Sequence, residues 1–393
     1  MTESIAIVAA RRTPMGSFQG ELSSLTAAQL GGAAIKASLA DAGISGERID
    51  DVFMGCVLSA GQGQAPARQA AFAAGLPENT PATTLNKMCG SGMRALMVAA
   101  DQLKAGNGTT LVAGGMESMS NAPYLLPKMR AGARMGHAAV QDHMFLDGLE
   151  DAYDSGKLMG SFAEDCAEKY QFSRESQDEY ALRSLARAGT ASEDGSFAAE
   201  IVPLNVTVKR ETHEISLDEQ PANARPDKIP KLKPAFRDSG TVTAANASSI
   251  SDGAAALVLM RESDARAQGL EIKGLIRGHA SHAQAPGWFT TAPVGAINKL
   301  LERLDWSVDS VDLWEINEAF AVVPMAAMAE LNIAAERVNI WGGACALGHP
   351  IGASGARIVV TLLNALQRGG LQRGVASLCI GGGEGTAVAI ELS

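Results

Sequence analysis

Two stretches of this chain repeat one another, and the duplication constrains its fold more than any other feature of the sequence. Ile49 to Val57 (I-D-D-V-F-M-G-C-V) resembles Val311 to Ala319 (V-D-L-W-E-I-N-E-A), and each reads as a strand leading into a turn. A Ser-Gly-small-Arg word then recurs, as S-G-M-R-A-L at Ser91 to Leu96 and as S-G-A-R-I-V at Ser354 to Val359. A short apolar strand and a glycine cluster close each unit: L-V-A-G-G-M-E at Leu111 to Glu117, and L-C-I-G-G-G-E at Leu378 to Glu384. One folding unit therefore occurs twice.

Within each unit the Ser-Gly word opens a helix. Met93, Leu96, Met97, Ala100 and Leu103 recur at helical spacing, with Gly106 where a C-terminal cap belongs. The second helix, Ser354 to Arg368, is apolar nearly all round and ends at Gly369, the pattern of a helix buried on most sides. Strands alternating with helices predict an α/β fold of two packed units, with mostly parallel sheets covered on both faces. Residues 119–249 break the rhythm. They hold Met- and Pro-containing loops, one helix from about Ser173 to Ala188, and a polar run from Thr207 to Arg237. That run has seven basic and five acidic side chains, and reads either as a solvated face or as a patch for an anionic ligand.

With 46% apolar and 19% charged residues, the 393-residue chain reads as globular throughout, long enough for two or three packed domains. A net charge of −10 argues against nucleic acid as a partner, since such affinity comes largely from basic residues on phosphates. No stretch of 18 apolar residues is present, so no membrane span is expected. The N-terminus is expected to run straight into a strand, without a secretory pattern. Five scattered cysteines with no C-x-x-C pair make a disulfide framework or zinc site unexpected, and a reducing cytoplasm the expected location.

Cys89 stands in N-K-M-C-G-S-G-M-R, immediately before a helix. Unpaired N–H groups and the positive dipole end there favour thiolate over thiol. Taken alone, the residue reads equally as an inert small hydrophobe. Gly90 to Ala95 formally matches a dinucleotide fingerprint, but the preceding P-A-T-T-L-N-K-M is too polar for the required buried strand. His349, in G-G-A-C-A-L-G-H-P-I-G-A-S-G, sits in a glycine-dense loop before the matching helix, where a neutral imidazole can take a thiol proton. Cys379 ends a strand ahead of I-G-G-G-E-G, whose N–H groups suit an oxyanion hole. Its alternative is a packed core cysteine. Asn317, in E-I-N-E-A-F, reads as a site residue or a helix N-cap.

Read together, N-K-M-C-G-S-G-M-R, N-E-A-F, G-H-P-I-G-A-S-G-A-R and C-I-G-G-G resemble the thiolase family in order and spacing. The resemblance covers the whole chain, including P-A-F-R (Pro234 to Arg237) and T-A-A-N-A-S (Thr243 to Ser248). It implies a duplicated α-β-α-β-α layered fold: an N-terminal half at 1–118 completed by about 250–271, a loop domain at 119–249, and a C-terminal half at 272–393. It implies Claisen condensation of two acetyl-CoA to acetoacetyl-CoA and CoA, and the reverse thiolysis, through an acyl-Cys89 intermediate. A 3-ketoacyl-CoA thiolase of broader chain length in β-oxidation is the alternative.

By similarity, His349 activates Cys89 and Cys379 moves the α-proton. Asn317 holds a water that acts with His349 on the enolate or thioester oxygen. The N–H groups of Cys89 and Gly381 form a second oxyanion hole. Leu149, Phe236, Ala244, Ser248, Ala319 and Phe320 line the pantetheine path. Coenzyme A serves as substrate carrier, no metal or other cofactor is needed, and the implied assembly is a homotetramer. Three positions depart from common family patterns: Leu158-Met159 before Gly160 (often His-Met), Trp341 before Gly342-Gly343, and Cys345. Cys56 and Cys166 match no motif and read as structural, and His279-x-x-His282 has no evident third ligand. A decarboxylating ketoacyl synthase of the same broad fold uses one cysteine with two histidines, against which N-E-A-F and the second cysteine argue. A non-catalytic CoA-binding relative predicts loss of one of the four residues, and all four are present.

Overall fold

Strand β1 (Ile5–Arg12) lies at the middle of the molecule and joins its two halves. The computed structural model describes residues 3–208 and 210–392. Met1, Thr2, Lys209 and Ser393, which fall within the spans and the basic run named above, lie outside the described residues. The N-terminal half adds β2 (Asp51–Gly55), β3 (Ala82–Leu85), β4 (Thr110–Ser118) and β5 (Ser251–Arg261). The C-terminal half has β6 (Gly274–Ala283), β7 (Leu313–Ile316), β8 (Arg373–Ile380) and β9 (Glu384–Glu391).

The strand order is β7-β8-β9-β6-β1-β5-β4-β2-β3. The repeated words occupy matching places: β2 and β7 correspond, as do β4 and β8. Even the edge is echoed, because β3 runs parallel to β2 while Val338 makes a parallel bridge to Trp314 of β7. The halves meet where Ile5, Ala6 and Ile7 pair with Ile276, Leu275 and Gly274. Mostly parallel pairing is not what forms. Only β2–β3, β2–β4 and β7–β8 are parallel among these pairs, and β4–β5, β5–β1, β1–β6, β6–β9 and β9–β8 are antiparallel. For β8 and β9 the reason is local: Gly382 and Gly383 adopt left-handed φ values of 93° and 87° and turn the chain straight back as a hairpin.

Helices α1 (Ala27–Ala42) and α2 (Pro66–Ala73) cover the outer face of the N-terminal strands. The central layer is α3 (Ser91–Lys104) with the buried helix Ser354–Gly369, which touch strands of both halves. Helix Ala292–Leu304 covers the outer face of the C-terminal strands. A Cβ on Gly92 would lie 2.8 Å from the Ala356 nitrogen, and one on Gly355 would lie 2.4 Å from the Met93 nitrogen. The repeated Ser-Gly word is thus the mutual contact of the two central helices, and its glycine is what lets the backbones approach. Residues 119–249 contribute short hairpins, two long helices, Met159–Tyr170 and Arg174–Glu193, and a short one, Glu219–Asn223, outside the central strands. Ser173 caps the latter by accepting the Ser176 N–H.

Candidate active site

The ends of the duplicated units converge on one cavity of about 230 Å³. Cys89 reaches it from the loop before α3. Met88 precedes it with φ at 48°, a left-handed value unusual for a side-chain-bearing residue, and Ser91 braces the turn by accepting the Lys87 N–H at 2.8 Å and donating to the Met88 carbonyl at 2.7 Å. The Gly381 N–H from the far half points at the Cys89 sulfur. Even so, burial dominates, and the thiol is pushed up to about 11 against the pull of the Gly381 and Cys89 N–H groups. A thiolate stabilised at rest by the helix N-terminus, as the sequence suggested, is therefore not what the site holds. The nucleophile rests as a thiol and needs a base.

His349 supplies one. Its imidazole is buried in the same cavity, and burial together with the Arg357 guanidinium drives it down to about 3, so it is neutral. Nδ1 lies 2.5 Å from the Ser354 hydroxyl, which itself donates to the Pro350 carbonyl at 3.0 Å. With its proton so committed, Ser354 accepts Nδ1–H, and Nε2 is left as a buried acceptor without a partner among the described residues.

Cys379, at the end of β8, is fully buried, and its thiol is raised well above the ordinary value, chiefly by burial and then by the neighbouring Cys89 sulfur. The two thiols thus lie within range of each other's charge. Asn317 follows β7 and donates its N–H to the Ser377 carbonyl at 3.0 Å, while both polar atoms of its buried side chain have no partner among the described residues. It caps no helix: the next one, Val322–Leu331, starts five residues beyond it and has Ala321 at its N-cap. A buried amide without a side-chain partner is suited to hold a water or a substrate oxygen.

Leu149, Phe236, Ser248, Ala319, Phe320 and Gly381 line the Cys89–His349 cavity together with Leu158, Met159 and Phe289. Ala244 does not. It is exposed and lines a neighbouring cavity with Arg225, Lys228 and Cys345, to which the basic run contributes. Ser248 fastens the N-E-A-F segment by giving its N–H and hydroxyl to the Ala319 carbonyl, both at 3.0 Å. His279 and His282 go separate ways, to Asp101 and Gln284.

Two carboxylates that the sequence did not single out hold these loops. Glu318 accepts from Ser184 at 2.7 Å, Tyr180 at 2.9 Å, Asn339 at 2.9 Å and the Cys345 N–H at 3.0 Å, tying N-E-A-F to helix Arg174–Glu193. Glu117 accepts from the Val57, Leu58 and Gly352 N–H groups. The only signal for either was an acidic residue ending an otherwise apolar strand word.

Comparison with known proteins agrees with this geometry. Residues 5–263 match the family model "Thiolase, N-terminal domain" and residues 270–392 match "Thiolase, C-terminal domain". The chain is 48% identical over 390 residues to the acetyl-CoA acetyltransferase of Pseudomonas aeruginosa, covering 99% of each. It is 49% identical over 387 residues to that of Escherichia coli, covering 98% of each. The crystal structure of the Bacillus anthracis acetyl-CoA acetyltransferase superposes with a TM-score of 0.96 at 41% identity, over 99% of each chain. With both halves matched, nearly the whole backbone shared and a duplicated fold that sets Cys89 and His349 on one cavity with Cys379 within charge range of Cys89, this chain belongs to the thiolase family.

Proposed function

We propose that the chain is an acetyl-CoA acetyltransferase, condensing two acetyl-CoA to acetoacetyl-CoA and CoA and running the reverse thiolysis. The observation that carries this is that Cys89 and His349 line one cavity, with the His349 Nε2 buried there and without a hydrogen-bond partner among the described residues. His349 takes the Cys89 proton, and the sulfur attacks the thioester carbonyl. The departing CoA sulfur takes the proton of Cys379, leaving acetyl-Cys89 and a Cys379 thiolate. That thiolate removes the α-proton of a second acetyl-CoA. The enolate oxygen is met by the His349 Nε2–H and by a water on Asn317. Enolate carbon then attacks acetyl-Cys89, whose oxyanion lies against the N–H groups of Cys89 and Gly381; each such donor is worth roughly 3 kcal/mol. Acetoacetyl-CoA leaves, and Cys89 recovers its proton from His349. The balance closes without a redox or metal step.

Coenzyme A is substrate and product here, with no further cofactor. In this reading 1–118 with about 250–271 and 272–393 form the catalytic halves, and residues 119–249 form the domain over the CoA site. Leu149, Phe236, Ser248, Ala319 and Phe320 flank the pantetheine arm. Ala244, Arg225 and Lys228 in the adjoining cavity suit a more polar, anionic part of the carrier. A cytoplasmic homotetramer is the proposed working form. No helix among the described residues is long and apolar enough to cross a membrane.

A 3-ketoacyl-CoA thiolase of broader chain length is the second reading, favoured by the apolar wall of Leu158, Met159 and Phe289 beside Cys89. The deciding experiment is cleavage by free CoA of acetoacetyl-CoA against six- and eight-carbon 3-ketoacyl-CoAs. The highest kcat/KM on acetoacetyl-CoA is expected. A clear preference for the longer chains replaces the first reading with the second, and cleavage of none overturns both.

A further inference from the structure

One buried acid lies between the two catalytic loops and has no part in these steps. Glu117 occupies in β4 the place that the repeat gives to Glu384 after β8, and it has no exposed surface. Its Oε2 accepts the Gly352 N–H at 2.9 Å and the Val57 N–H at 3.0 Å, while Oε1 accepts the Leu58 N–H at 3.1 Å and the Cys56 thiol at 3.6 Å. Gly352 belongs to the loop that carries His349. Val57 and Leu58 pack in one apolar cluster with Met88 and Cys89. A residue of the N-terminal half thereby grips the base-bearing loop of the other half and holds it to the wall behind the nucleophile. Glu384 does the converse, pairing with Lys87 on the Cys89 loop.

Only a carboxylate has enough lone pairs to accept from four donors at once, since a glutamine would turn an NH₂ toward them. Burying such a group is costly, so its presence calls for a reason beyond stability. We propose that Glu117 is a positioning residue of the reaction: by fastening Gly352 to the Cys56–Leu58 segment, it holds His349 Nε2 in line with the Cys89 thiol. The inference rests on His349 serving as the base for Cys89.

The titratable groups facing the carboxylate are the thiols of Cys56 and, at longer range, Cys89. Burial raises Glu117 to about 7 against the pull of its N–H donors, and its charge in turn raises the Cys89 thiol. Replacing Glu117 by glutamine therefore does two opposed things. It removes a charge that discourages the thiolate, and it loosens the loop that aims the base. A general loss of structure would instead expose Cys89 and quicken alkylation in both variants, whereas a mispositioned base quickens it only where the charge is lost.

The test uses full-length Glu117→Gln and Glu117→Asp, with rates normalised to the fraction of chains that take up one acetyl group on Cys89. For Glu117→Gln, kcat for acetoacetyl-CoA cleavage is expected to fall about 100-fold with KM changed by less than about threefold. Iodoacetamide alkylation of Cys89 at pH 8 is expected to stay level or quicken. Glu117→Asp keeps the charge but shortens the reach, so its kcat falls while alkylation does not quicken. A kcat within about threefold of wild type in either variant, or alkylation that falls in step with turnover, overturns the proposal. If the glutamine variant does not fold, the aspartate variant alone decides. A wild type inert toward every 3-ketoacyl-CoA overturns the functional reading as well; an active wild type with indifferent variants overturns only the assignment of Glu117.

Discussion

Ser354 accepts the Nδ1 hydrogen of His349 across 2.5 Å, and this contact decides which imidazole nitrogen faces Cys89. Ser354→Ala should leave the ring free to rotate or to exchange tautomers. Steady-state thiolysis of acetoacetyl-CoA should then show kcat lower by about 100-fold with little change in KM, the scale of a general-base contribution. If kcat stays within twofold, the hydroxyl is not what orients the ring.

The two thiols should separate by step. Cys89→Ser is expected to abolish acetyl uptake from acetyl-CoA, read by mass spectrometry of the intact chain. Cys379→Ser should still acetylate at Cys89 yet neither exchange α-protons with deuterium nor condense. Near-normal condensation by Cys379→Ser would show that another group moves the proton.

The resting protonation states predict a pH signature. The Cys89 thiol sits at about 11 and His349 at about 3, so between these values neither is charged. The reactive thiolate fraction therefore rises with pH. Iodoacetamide alkylation of free enzyme should accelerate about tenfold per unit from pH 7 to 9. A plateau below pH 7 would instead reveal a standing thiolate–imidazolium pair.

The central helices give a stability contrast. Gly355→Ala places a methyl 2.4 Å from the Met93 nitrogen and should cost about 3 kcal/mol by overpacking. Gly189, in helix Arg174–Glu193, has nothing among the described residues within 4 Å of its missing Cβ, so Gly189→Ala should gain about 0.5–1 kcal/mol. Denaturant midpoints of the two variants should move in opposite directions. A tolerated Gly355→Ala would mean that the central helices can part without cost.

Much of the site was legible because chemistry and backbone demands coincide in short words. Cys89, His349 and Cys379 each sit beside glycines that the folded turn uses, and Ser91 and Ser354 mark the two helix starts they precede. Strand direction was not legible. Strand β5 is buried over nearly its whole length, and a continuous apolar run carries no sign of whether its neighbours run with it or against it. The rest state of Cys89 was misjudged for a related reason: a helix N-terminus is visible in sequence, whereas the desolvation that outweighs it arises only when the halves close. Asn317 misled in the opposite way, since its type and place fit a cap that the longer loop to Val322 makes unnecessary. Glu117 and Glu318 were hidden because their partners are backbone N–H groups and residues far away in the chain.

Strand β1 has its two neighbours in β5 and β6, which end at Arg261 and Ala283. On the ribosome, β1 must therefore wait for about 240 further residues before its ladder with β5 can begin. Until then it is an apolar ribbon with both rows of amides open, the kind of species that chaperones shelter and that aggregates when crowded. Synthesis, more than equilibrium stability, is the stage at which this architecture is most vulnerable.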